Sequence, residues 1–260
     1  MPDSIHDFVY LSTQKLADLI VQTSVLQRRS FTVRAQVRSP VVSLALASSS
    51  APTNTGSTSA RLAQDELVKL GRAVDEINKR SLWYSDPVVQ AGSWIYFETS
   101  MNYCLLQSHY FDPAVVFVDH VDLLPDPSVR LLLHGSVGHL LGRPKLVDVS
   151  ADVERLRTSP SSGEFVYALA DNVEEVVQTI HATQDAFTVS PGIQARGSLS
   201  SGIAQLLRVL DQKFVTDTAA SLGGVARVTA SVTARGGLRN VERFVMASPL
   251  YIEYVSTSST

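Results

Sequence analysis

Asp7-Phe8-Val9-Tyr10-Leu11-Ser12 opens the chain, and Glu164-Phe165-Val166-Tyr167 returns the same pattern past its middle. Leu16, Leu19 and Ile20 follow the first; Val173, Val176 and Val177 follow the second. In both, eight residues separate the phenylalanine from the first aliphatic, then three, then one. Apolar β-formers ahead of an i, i+3, i+4 stripe predict a short strand feeding an amphipathic helix. The chain does this twice, so two related halves are expected.

Working outward, Phe31, Val33, Ala35 and Val37 alternate with polar residues and predict a strand, interrupted by Pro40. Residues 48–59 are a Ser/Thr-rich loop, and Ala63, Leu67, Leu70, Val74 and Ile77 mark a helix stripe. Ile95, Phe97, Thr99, Met101, Tyr103 and Leu105 share one side of a long aromatic strand. Strands are expected at 114–118 and 129–133, and a boundary at the Ser/Pro/Gly stretch 159–163. In the second half, Asp171 with Glu174 resembles a capping box ahead of the Val173–Ile180 helix face. A loop at 190–200 is followed by the stripe Ile203, Leu206, Leu207, Leu210 and Phe214, then strands at 225–232 and 243–255.

The expected fold is therefore α+β. Two similar halves, 1–158 and 164–260, each run strand-helix-helix-strand-strand and are joined by a linker at 159–163. They form mainly antiparallel sheet with helices on one face. One continuous domain is the alternative.

Composition narrows the function classes. Apolar residues at 45% and charged residues at 18% suit a globular chain with a sizeable core. The net charge of −3, with no basic stripe, argues against nucleic-acid binding. No apolar run approaches the roughly 20 residues that cross a bilayer, and Met1-Pro2-Asp3-Ser4 does not open a secretory signal. A single cysteine, Cys104, cannot pair within the chain. A cytoplasmic protein without a membrane partner is expected.

Chemistry concentrates in His134-Gly135-Ser136-Val137-Gly138-His139-Leu140-Leu141-Gly142, where a buried strand meets a glycine-bearing turn. Glycines admit backbone amides close to a ligand, so His134, Gly135, Ser136, Gly138 and His139 are candidate ligand-binding residues. The stretch is neither a P-loop nor a nucleophile elbow, because the lysine of the one and the Gly-x-Ser-x-Gly of the other are lacking. A plain tight turn is the competing reading. His109, His120, Asp119, His134 and His139 lack metal-ligand spacing, so no metal and no cofactor is assigned. Cys104, among aromatics, reads as a small buried hydrophobe. Trp94 and Tyr96 face away from Ile95 and Phe97. They are candidate binding residues if that face is open, and core if helices cover it.

The opening Asp7-to-Ser12 stretch with Lys15-Leu16, the Ala60-Arg61-Leu62 helix start, the strand from Trp94 to Asn102 and the Leu131-to-Gly142 segment together carry a likeness. They resemble an uncharacterised family of actinobacterial proteins, a domain of unknown function. Its members similarly begin with a Val-Tyr-Leu/Ile-Ser strand and carry a Gly-Ser turn with a His-aliphatic-aliphatic-Gly segment. Ser248-Pro249-Leu250-Tyr251-Ile252 is similar to the endings of this group. The resemblance implies no catalytic residues. It implies bacterial signalling or conflict as a setting.

The leading expectation is a non-catalytic binding module for a small ligand or a protein partner. The alternative is an enzyme, a hydrolase or a cyclase of secondary metabolism, with a pocket near His134, Ser136 and His139. A homodimer through the Trp94 face or an open sheet edge is a third.

Overall fold

The computed structural model describes residues 8–12, 14–16, 18, 74–108, 111–120, 128–141, 146–148, 164–183, 197–214, 218–234, 241 and 243–255. The strands are β1 (Phe8–Leu11), β2 (Leu82–Trp83), β3 (Trp94–Ser108), β4 (Phe111–Asp119), β5 (Val129–Ser136), β6 (Leu146–Asp148), β7 (Ala220–Thr233) and β8 (Arg243–Tyr254). Two long helices, α1 (Glu164–Thr183) and α2 (Gly197–Lys213), stand between β6 and β7. No helix among the described residues is long and apolar enough to cross a membrane.

The sheet closes on itself. β3 pairs antiparallel with β4, β4 with β5, and β7 with both β8 and β3. The parallel pairing of β5 with β8 completes a five-stranded ring. β1 extends it beside β8, and β2 and β6 extend it beside β3. The expected α+β architecture, with helices laid on one face of a sheet in two halves, is thus overturned. The structure is a closed β-barrel with extra strands.

Side-chain chemistry explains the closure. β4 and β5 carry near-continuous apolar runs, Ala114-Val115-Val116-Phe117-Val118 and Leu131-Leu132-Leu133, rather than clean alternation. Such strands need cover on both faces. Ile95, Phe97, Met101, Val115, Phe117, Leu131, Leu133, Ala226, Val228, Val245 and Ala247 fill the inside. Val116, Val118, Leu132, Ala230, Phe244 and Met246 face outward beneath Val173, Val176, Ile180, Ile203, Leu206 and Leu210 of the helix pair. Cys104 is a fully buried member of that outer cluster. The two helices cross closely because α2 has no side chain at Gly202. A Cβ there would overlap the Asn172 carbonyl of α1.

The internal repeat is not carried into structure. Phe8-Val9-Tyr10 is strand, whereas the same three residue types at 165–167 lie in the first turns of α1. The difference is legible afterwards in the spacing. Phe165, Leu169 and Val173 continue the helical period backward, while four residues past Phe8 stands the polar Ser12. Asp171, read as a helix start, is therefore inside α1. The loop expected over 190–200 gives way to α2 from Gly197. The expected strand at 31–37, the loop at 48–59 and the linker at 159–163 lie outside the described residues.

Two buried ionic groups pin the helix pair to the barrel. Arg130 of β5 donates through Nε to Asp119 Oδ1 at 2.5 Å and through Nη2 to Asp211 Oδ1 of α2 at 3.1 Å. Asp119 also accepts the Leu131 amide at 2.6 Å. Burial opposes the charge on Arg130, but Asp119 and Asp211 outweigh it and hold the guanidinium above its ordinary value. Burial pushes the Asp119 carboxyl up, against the pull of Arg130 and the Leu131 amide.

Candidate functional site

Strand alternation sorts the glycine-turn residues onto two sides of β5. Leu131 and Leu133 point into the barrel, so Gly135 is on the inner side while His134 shares the outer side with Leu132. On the inner side, a Cβ on Gly135 would overlap the Tyr10 ring and hydroxyl. Tyr10 is fully buried, packs edge-on against Phe117, and approaches His139 Nδ1 with its hydroxyl at 3.4 Å. Gly135 is thus a close-packing glycine for a barrel plug rather than part of a ligand cradle. The chain then makes one 3-10 turn, Val137–His139. Gly138 is exposed there, and Ser136, at the N-cap, makes no capping bond with its side chain. The Leu141 amide donates to the Val9 carbonyl at 2.9 Å, which fixes the turn against β1.

The outer side gathers more chemistry. Trp94 of β3 pairs with Arg227 of β7, and Arg227 pairs with Ser248 of β8. One position past the Leu133–Ala247 pair, His134 stands beside Ser248. A row of outward side chains therefore crosses the barrel wall: Trp94, Arg227, Ser248, His134. Neighbouring strands are about 4.8 Å apart. Arg227 stacks on the Trp94 ring at 5.5 Å. His134 Nε2 lies 3.0 Å from Thr229 Oγ1, reaching over β8 to the point where β7 bulges between Val228 and Ala230.

The turn that follows β1 covers this row. Ser12 donates its amide to the Leu250 carbonyl at 2.9 Å. Lys15, one helical turn on and fully buried, donates to Ser248 Oγ and, at 3.2 Å, to the Pro249 carbonyl. Ser12, His134, Thr229 and Ser248 are also buried to 1% or less exposure. Two of their polar atoms, Ser12 Oγ and His134 Nδ1, have no hydrogen-bond partner. Burial, with the nearby charges of Lys15 and His181, lowers the His134 pKa to about 3, so the ring is neutral at pH 7. Burial likewise lowers Arg227.

The aromatic candidates divide. Trp94 is half-buried and packs with Leu16, Val74, Ile77, Val225 and Leu250. Tyr96 is 45% exposed and rests on Trp83 at 5.0 Å. The structure therefore joins Trp94 and His134 in one row and leaves Tyr96 on the surface. It sends Gly135 and His139 to the Tyr10 side. Among the described residues, no three His, Cys, Asp or Glu side chains gather as metal ligands.

Lys15, Ser248, Arg227 and Thr229 were missed by sequence reasoning. A lysine in an amphipathic turn and a serine in a strand give no signal of burial by themselves. The hint lay in the patches of likeness. The Tyr10-Leu11-Ser12 opening with Lys15, the His134-to-Leu141 segment and Ser248-Pro249-Leu250 all meet here.

The chain belongs to DUF7019, a family of unknown function, whose model matches residues 7–256. No curated protein and no solved structure matches it significantly. Membership of DUF7019 agrees with the likeness read from those patches and assigns no role to any residue in them.

Proposed function

We propose that this DUF7019 chain is a non-catalytic binding module for a small ligand, and that the row Arg227–Ser248–His134 beneath Lys15 and Ser12 is its binding element. The observation that carries this reading is the pair of partnerless buried atoms, Ser12 Oγ and His134 Nδ1, beside a buried lysine. Burying a polar atom without a hydrogen bond costs about 1–3 kcal/mol. Hydrocarbon side chains would cover the same wall at no such cost, as they do beneath α1 and α2. A ligand that bonds these atoms recovers the penalty.

The catalytic alternative, with His134, Ser136 and His139 sharing a pocket, has weaker support. His134 is engaged with Thr229 on the outer side, and His139 faces Tyr10. A protein partner is favoured by one separate feature, the exposed Tyr96 beside Trp83.

The test is a melting-temperature screen of the whole chain against nucleotides, cyclic nucleotides and small metabolites, repeated on His134→Gln. A ligand that binds only the folded state raises the melting temperature by mass action. A shift that vanishes in His134→Gln supports the reading. A shift that survives it, or a flat response across the panel, counts against this row.

A further inference from the structure

We propose that the group bound by this row is an oxyanion, a carboxylate or a phosphate, and the inference rests on the binding reading above. The charges decide the class. Lys15 and Arg227 both flank Ser248, one from the covering turn and one from the adjacent strand. Ser12 and Ser248 add hydroxyl donors, and Thr229 adds a third next to His134. His134 contributes a ring nitrogen that can carry a proton toward a ligand without adding charge.

No carboxylate answers these cations among the described buried residues here. The buried carboxylate, Asp119, lies at the far end of β5 and is taken by Arg130 and the Leu131 amide. Thr179 and Thr183, the buried hydroxyls of α1, are spent on the carbonyls of Glu175 and Thr179. The row is therefore rich in donors and net positive, in a wall that is otherwise hydrocarbon. A neutral ligand would leave both cations uncompensated by anything it brings. An oxyanion offers several acceptor sites and a compensating charge, and bonds between charged partners are the stronger ones. The buried setting strengthens the attraction over its value in water.

Carboxylate and phosphate share this chemistry, and the experiment separates them. The full chain, 15N-labelled at histidine, is titrated at pH 7 and constant ionic strength with inorganic phosphate, with acetate, and with acetamide as the uncharged counterpart of acetate. The expected result is that phosphate or acetate moves the His134 ring signals and raises the melting temperature, while acetamide does neither. Whichever oxyanion acts at lower concentration names the group. Ser12→Ala removes a partnerless buried hydroxyl. It should fold at least as stably as the parent yet bind the oxyanion about 10-fold more weakly, the loss of one bond to a charged group.

Acetamide moving the His134 signals as much as acetate would overturn the oxyanion assignment and leave the binding reading standing. So would a response confined to neutral members of the metabolite screen. An oxyanion effect undiminished in both Ser12→Ala and Arg227→Gln would place the anion elsewhere. Silence of His134 toward every probe and every screened compound would remove both readings together.

Discussion

The Tyr10 side chain occupies the space that a Cβ on Gly135 would need. One residue from the first strand and one from the fifth thus settle how the end of the barrel is filled. β1 contributes little ladder, four residues in all, so the Tyr10 plug is a large part of what anchors it.

Gly135→Ala should destabilise the fold by about 1–3 kcal/mol, the usual range for overpacking a tight core. Tyr10→Phe keeps the ring and loses only the 3.4 Å approach to His139, so it should cost under about 1.5 kcal/mol. Urea denaturation of both variants decides the matter. A neutral Gly135→Ala would mean that Tyr10 moves aside freely.

His134 makes stability pH-dependent. Its pKa in the folded state, about 3, lies below the unfolded value near 6.5. The unfolded chain therefore takes up the proton first as pH falls. The stabilisation is complete above pH 6.5 and is lost progressively toward pH 3. The slope approaches about 1.4 kcal/mol per pH unit, so about 2 kcal/mol goes between pH 6.5 and 5. Denaturation curves at the two pH values should show that loss in the parent and a correspondingly smaller one in His134→Gln. Equal losses would mean that His134 is not the group that titrates.

Thr229→Val tests the bond from β7 to β5. It leaves His134 Nε2 buried and without its partner at 3.0 Å, which costs about 1–3 kcal/mol. Thr229→Ser keeps the hydroxyl and should recover most of the difference. If both variants lose the same amount, the threonine matters for packing alone.

The Arg130 clamp has unequal arms. Asp119→Asn breaks a fully buried pair and should cost about 3–5 kcal/mol. Asp211, with a side chain 30% exposed, is the weaker arm, and Asp211→Asn should cost about 1 kcal/mol. Comparable costs in chemical denaturation would show that docking of α2, rather than the β4–β5 corner, depends on the clamp.

Gly202→Ala separates local propensity from packing. Alanine is favoured over glycine by about 1 kcal/mol inside a helix. Here the new methyl would meet the Asn172 carbonyl, so the variant should be less stable than the parent, read as a lower melting temperature. A higher one would mean that α1 and α2 can part slightly at little cost.

Periodicity carried much of the local structure. The Phe8–Leu11 strand, the strands around Ile95, Val116, Leu131 and Val228, and the buried stripes Val173–Ile180 and Ile203–Leu210 all follow from spacing that any reader of the chain can count. The tetrad at 164–167 misled because Phe, Val and Tyr favour strands in isolation. Propensity is weak against a helical period that runs through Leu169 to Ile180.

The sequence by itself determined which segments are apolar on one face or on both, and so that strands 4 and 5 need cover on two sides. Only the tertiary structure decided what supplies the cover. The parallel pairing of β5 with β8 joins residues more than a hundred positions apart, and no local signal encodes a partner at that distance. The candidate site has the same origin. Lys15, His134, Arg227 and Ser248 are unremarkable where each stands in the chain. They become a buried, positively charged row because closing the barrel sets β5, β8 and β7 side by side and folds the turn after β1 over them.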